Sequence, residues 1–142
     1  MLDYYLRTKK SDLEFGNKNE MEVLSILIKF FNEPLKKTTD TYDTKDFVGL
    51  TVDFELKSRR IRHDQYPTAL VGENKILSRD KSRDYYVVWK YTDGLFYLKY
   101  NKELWDTFTI EEYQRGCRAD CNDTPKRTYH VPYRFLKKIE AY

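Results

Sequence analysis

Long apolar runs are missing from this 142-residue chain. The longest, residues 23–31, is interrupted by Ser25 and Lys29, far short of the ~20 apolar residues that span a bilayer. Cysteine is scarce. Two residues close at most one disulfide, which excludes a disulfide-built secreted module. Five glycines and four prolines leave little material for long loops, and no glycine-rich phosphate loop is present. No internal repeat or low-complexity tract occurs. An excess of one charge is missing too: 26 basic residues face 23 acidic ones, a net charge of +3. That total does not announce a nucleic-acid binder, so local distribution must decide. The opening residues Met1-Leu2-Asp3-Tyr4-Tyr5-Leu6-Arg7 lack the apolar stretch of a signal peptide. A soluble, intracellular protein without membrane association is expected.

What is abundant is charge and aromatic surface. Charged residues make up 35 % of the chain, against ~25 % in an average domain. Aromatics make up 16 %, with 13 tyrosines, which is not a disordered composition. The length suits one domain with a real core.

Apolar residues at 24, 27, 28 and 31 recur at helical spacing, so residues 18–32 are expected to form a helix, ended before Pro34. Residues 1–17 read as a short helix or an arm, and the Thr-rich stretch 36–43 as a first strand. From 52 to 57 the alternation is strict. Val52, Phe54 and Leu56 point one way; Asp53, Glu55 and Lys57 point the other. Gly49 is expected to turn a short hairpin into that strand. A helix is expected around 71–80. Residues 85–91 are apolar on both faces, as in a central strand, and Asp93-Gly94 signals a hairpin into 95–100. Helices are expected at 110–116 and after Pro132, where Phe135, Leu136 and Ile139 would share a side. The expected fold is a single α/β domain with a mixed β-sheet flanked by helices.

The chemistry-bearing constellation is Asp46, Glu55 and Lys57. Two carboxylates on adjacent strands of a hairpin repel each other unless a cation sits between them. Oxygen ligands of this kind suit Mg²⁺ or Mn²⁺. Lys57 emerges on the face of Glu55, where it can orient a water or neutralise a phosphate. The plain alternative is a solvated edge strand, since Glu73-Asn74-Lys75 has the same Glu-x-Lys pattern. Only Glu55-Leu56-Lys57 lies on an alternating apolar strand, however, and Ser58-Arg59-Arg60-Ile61-Arg62-His63 follows at once. With Lys57 that makes four positive charges in six residues, the footprint of a phosphate backbone. Glu20 shares the helical face of Leu24, Leu27 and Phe31. A carboxylate there either has a task or is simply welcome at a helix N-terminus.

A helix with Glu, then Asp, then Glu-x-Lys in a hairpin, then a helix and a central strand resembles the PD-(D/E)xK (restriction-endonuclease-like) nuclease superfamily. The resemblance covers roughly residues 16–100 and implies an αβββαβ core. It implies Glu20 as the helix acid, Asp46 and Glu55 as the metal-binding pair, and Lys57 as the catalytic lysine. Lys75 stands where many members carry a further polar residue, a nucleic-acid contact here. The segments Asp46-Phe47, Glu55-Leu56-Lys57-Ser58-Arg59, Tyr66-Pro67-Thr68 and Asn74-Lys75-Ile76 also look like short stand-alone nucleases of large DNA viruses, which would place the chain in the cytoplasm or nucleus of a host. No Pro precedes Asp46, and Asp43 is a rival for its place.

The resemblance implies a Mg²⁺- or Mn²⁺-dependent endonuclease acting on DNA, with RNA as a rival substrate. Arg59, Arg60 and Arg62 would grip phosphate, and Glu20 would hold a second metal or its water shell. A homodimer is the expectation for cutting both strands. The rivals are an inactive nuclease-fold nucleic-acid-binding protein and a structural or interaction protein. Cys117, Cys121 and His130, with His63 as the only remaining ligand, make a poor zinc spacing. Aromatic residues of 85–100 at strand spacing read as sheet packing rather than base stacking.

Overall fold

The computed structural model describes residues 19–38, 45–113 and 126–140. The first helix, α1, spans 19–31. Asn32 ends it in the left-handed region at φ 50°, and Glu33 N–H donates back to the Ile28 carbonyl at 3.3 Å. This capping geometry satisfies an otherwise orphaned carbonyl, and Pro34 cannot resume the helix.

Six strands form the main sheet in the order β1-β2-β3-β5-β6-β9: β1 (Lys36–Lys37), β2 (Phe47–Val48), β3 (Val52–Ser58), β5 (Asp84–Tyr91), β6 (Gly94–Lys99) and β9 (Lys137–Lys138). The neighbours β3 and β5 run parallel; every other pair is antiparallel. Three further strands, β4 (Thr68–Gly72), β7 (Thr109–Tyr113) and β8 (Lys126–Pro132), form a second sheet in the order β4-β8-β7. Two short helices, α2 (Glu73–Leu77) and α3 (Lys102–Trp105), complete the fold. The result is a mixed α/β architecture. Among the described residues no helix is long and apolar enough to cross a membrane.

The alternation of β3 divides the core. Val52 and Phe54 pack with Val23, Leu24 and Leu27 of α1, and with Val88 and Leu95. On the opposite face Tyr85, Val87, Trp89 and Phe96 meet Ala69, Val71, Tyr129 and Val131 of the second sheet. So β5 buries both faces, as its apolar run predicts. The β2–β3 turn needs glycine, because a Cβ at Gly49 would lie 2.6 Å from Glu33 Oε1 and 2.9 Å from Val52 Cγ1. In the β5–β6 hairpin Gly94 pairs with Tyr91, so Thr92 and Asp93 form the loop. Gly94 has φ +153°, a conformation that side chains resist.

Several expectations are corrected. One face of the main sheet is flanked by α1; the other is covered by the second sheet together with Ile76 of α2 and Trp105 of α3. The helix expected around 71–80 is present but only as the five-residue α2, and the strand β4 precedes it. The Thr-Ala-Leu-Val stretch of β4 alternates, with Ala69 and Val71 buried. The helix expected at 110–116 is β7 as far as Tyr113; 114–116 lie outside the described residues. After Pro132 a single 3-10 turn (Tyr133–Phe135) leads into β9. There Ile139 N–H donates to the Leu95 carbonyl at 2.8 Å and its side chain is fully buried. Pairing here also satisfies the edge backbone of β6, which a helix in this place would leave open. The first strand is only Lys36–Lys37. The readings on 1–17 and 39–43 lie outside the described residues.

Candidate functional site

Asp46 lies one residue before β2. Its N–H donates to the Phe54 carbonyl at 2.8 Å. The register Phe47↔Phe54, carried back one step, sets Asp46 opposite Glu55, and opposed residues share a face. The Asp46 carboxylate turns in, and its Oδ2 accepts the Leu56 N–H at 2.7 Å. The side chain thus fixes the local backbone of the strand that carries Glu55.

Glu55 is 4 % exposed. Its Oε1 lies 3.2 Å from Lys57 Nζ and 3.6 Å from Lys75 Nζ, the latter arriving from α2. Burial pushes its carboxyl up to about 7, the Asp46 charge adds to the rise, and the two lysines oppose it. Two cations therefore do not fully offset what burial and a neighbouring carboxylate impose. The donor set suits a hard divalent cation, which would relieve the repulsion directly. Asp46, Glu55, Lys57 and Lys75 are thus one group. Lys75, expected on the nucleic acid, pairs with the buried acid.

Two neighbours were not singled out from the sequence. Asp53, two residues before Glu55 on the same face, is 1 % exposed. Arg83 Nε holds its Oδ1 at 2.9 Å, and Lys45 Nζ lies 3.9 Å from its Oδ2. The Arg83 guanidinium also donates to the carbonyls of Gly49, Leu50 and Val52. From the other side, Glu33 Oε1 accepts the Leu50 N–H at 3.0 Å. The β2–β3 turn is pinned by both. Tyr85 sits beside Asp53 in the parallel register. Burial, then the charges of Glu55, Asp46 and Asp53, push its phenol up. The parity of Asp53 with Glu55 was visible in the sequence; the register that brings Tyr85 alongside was not.

Glu20 stands at the edge of the buried helix face, about one-third exposed. Its ion pair is with Lys37 Nζ at 2.7 Å, and among the described residues it makes none with Lys57. The N-terminus of α1 is nonetheless tied to the end of β3, since the Asn19 amide donates to Ser58 Oγ at 2.9 Å. Asp43 lies outside the described residues.

Arg59, Arg60 and Arg62 are all exposed. Arg62 lies 3.4 Å from Asp64 Oδ1 and 3.7 Å from Asp93 Oδ2. Their segment is anchored to the β5–β6 hairpin: Arg59 N–H donates to the Lys90 carbonyl, Thr92 N–H to the Ile61 carbonyl, and His63 N–H to Asp93 Oδ1, each at 2.9 Å. His63, Asp64 and Asp93 bring their ligand atoms within 4.8 Å of one another, but Arg62 already approaches both carboxylates and the His63 ring is hydrogen-bonded to Asp93. His130 is engaged by Thr68 Oγ1 at 3.3 Å and Glu111 Oε2 at 3.5 Å; Cys117 and Cys121 lie outside the described residues. Tyr85, Tyr91 and Phe96 are buried in the sheet, so they are packing residues. No protein-family model matches the chain, and no curated protein sequence matches it.

Proposed function

We propose that the chain is a metal-dependent nuclease that hydrolyses phosphodiester bonds in DNA as an endonuclease. The observation that carries this reading is the pairing of Asp46 with the buried Glu55, with Lys57 Nζ 3.2 Å from the Glu55 carboxylate. The order α1, β1, β2, β3, α2, β5, with β3 parallel to β5, supports an αβββαβ restriction-endonuclease-like core, into which β4 is inserted.

Asp46 and Glu55 would hold Mg²⁺ or Mn²⁺, which when bound supplies Lewis acidity toward a phosphoryl oxygen. Asp46 keeps its ligand geometry through the Leu56 N–H. Glu55 must be ionised to serve as a ligand, and Lys57 and Lys75 favour that form. Lys57 Nζ can hold a water by hydrogen bond and stabilise charge developing at the phosphate. Arg59, Arg60 and Arg62, just beyond Lys57 in the chain, present cations to the phosphate backbone. Cutting both strands takes two such sites, so two copies acting together belong to the proposal.

The test is cleavage of plasmid DNA by the full chain. Cleavage should require Mg²⁺ or Mn²⁺ and be supported poorly by Ca²⁺, which tolerates looser coordination. Lys57→Ala should abolish cutting while leaving DNA binding largely intact, because its role belongs to the transition state. Replacing Arg59 and Arg60 should instead weaken binding and flatten its salt dependence. Cutting in excess EDTA, or at an undiminished rate by Lys57→Ala, would refute the assignment.

A further inference from the structure

Two tyrosines stand apart from the packed aromatics. Tyr66 is 57 % exposed and Tyr133 42 %. They come from distant parts of the chain, yet Tyr133 N–H donates to the Pro67 carbonyl at 3.2 Å. That bond brings the backbone of Tyr133 beside the residue that follows Tyr66. Under Tyr133 lies His63, in edge contact at 6.0 Å between ring centroids. His63 in turn stacks on the buried Phe96 at 4.4 Å and 19°. Its ring is fixed by Asp93, Nδ1 to Oδ2 at 2.5 Å. The segment that carries His63 and Tyr66 is thus held in place by hydrogen bonds and a ring stack, and Tyr133 packs against it.

The position of this surface follows from the sheet. Lys57 is beside Trp89 on β5, and Trp89 is opposite Phe96 on β6. The three share a face, and Phe96 is two strand spacings, ~10 Å, from Lys57. The two segments are also basic: Arg59, Arg60 and Arg62 precede Tyr66 in the chain and Arg134 follows Tyr133, all exposed, against Asp64 and Asp93, which Arg62 approaches. Exposed aromatic rings within a cationic frame bind unpaired bases by stacking while the cations track the backbone.

We infer that Tyr66 and Tyr133 form a stacking platform for unpaired DNA bases, so that the substrate carries a single-stranded segment next to the cleaved phosphodiester. This rests on the nuclease reading for its choice of DNA. It differs from that reading in what it demands of binding. Arginines alone hold any phosphate backbone, whereas a platform distinguishes a strand with bases from one without.

The experiment measures binding by the full chain in EDTA, by fluorescence anisotropy, to four labelled duplexes: a blunt DNA duplex, the same duplex with a short single-stranded DNA tail, that duplex with an abasic tail, and that duplex with an RNA tail. The tails carry equal phosphate charge. The normal DNA tail should bind about ten-fold more tightly than the abasic one, in line with the stabilisation per stacked base. Tyr66→Ala and Tyr133→Ala should each remove most of that difference and leave the blunt duplex unaffected. Tyr66→Phe and Tyr133→Phe should keep it, since stacking needs the ring and not the hydroxyl. Equal binding of the normal and abasic DNA tails, or alanine variants that keep the difference, overturns the platform. Tighter binding of an RNA tail than of the DNA tail overturns the choice of DNA. Adding Mg²⁺ tests the nuclease reading separately: base-dependent binding without cutting refutes the nuclease alone, and cutting without base dependence refutes the platform alone.

Discussion

Asp53 and Glu55 are two carboxylates on one strand, two residues apart, pointing the same way and almost equally buried. Their surroundings differ. Asp53 meets a guanidinium at 2.9 Å that also ties three carbonyls of the neighbouring turn. Glu55 meets two ammonium groups at 3.2 and 3.6 Å and faces another carboxylate. A planar guanidinium fixes its partner in a single geometry; two flexible lysines do not. One acid holds the hairpin together, and the other is kept near its titration point. Burial alone would not have told them apart.

The largest effect is expected at Arg83. Arg83→Met should cost about 3 kcal/mol, because it leaves the buried Asp53 with only the more distant Lys45 at 3.9 Å. Urea denaturation measures this, and adding Asp53→Leu to the same protein should recover much of the loss. An Arg83→Met protein as stable as the wild type would show that Asp53 is not held by this pair.

At Glu55 the sign reverses. Its carboxyl titrates near 7 in the folded chain against an ordinary 4.5. Between those values the folded protein keeps a proton that the unfolded chain releases. The wild type should therefore lose stability as pH rises from about 4.5 to about 7, and stay lower above it. Glu55→Gln carries no such charge. It should match the wild type at pH 4 and exceed it at pH 8 by about 3 kcal/mol. Unfolding free energies measured across that range decide the matter, and parallel curves would remove the shift.

Metal should act on the second acid and not on the first. At pH 8 and ~100 times its dissociation constant, Mg²⁺ or Mn²⁺ should stabilise the wild type by roughly 2.7 kcal/mol. Asp46→Asn and Glu55→Gln should show much smaller thermal shifts, and equal shifts in all three would argue against a site here. The smallest effect belongs to Glu20. Its half-buried pair with Lys37 predicts a change of about 1 kcal/mol for Glu20→Gln in the same melts. A larger loss would mean that Glu20 is bound up with the core.

How much of this was legible in the sequence depended on distance along the chain. The helix end at Asn32, the β2–β3 hairpin at Gly49 and the double-faced β5 are written in local periodicity and turn chemistry. Asp46, Glu55 and Lys57 were found because a hairpin register relates them. The second sheet was missed because β4 pairs with β8 across some sixty residues, as in the contact of Thr68 with His130. The apolar residues 135, 136 and 139 suit a helix as well as a turn followed by a strand, and only an edge offered by β6 decides between them. Arg83 looked like one charge among many until the fold brought it to Asp53.

The main sheet begins and ends in strands of two residues, and each is a pair of lysines: Lys36–Lys37 at one margin and Lys137–Lys138 at the other. Unpaired strand margins are templates on which another chain can extend a sheet, and short, cationic margins resist it. Lys37 is paired with Glu20, so a second chain approaching these margins would meet chiefly the ammonium groups of Lys36, Lys137 and Lys138. Among the described residues, both margins of the six-stranded sheet are thus poor templates for a second chain.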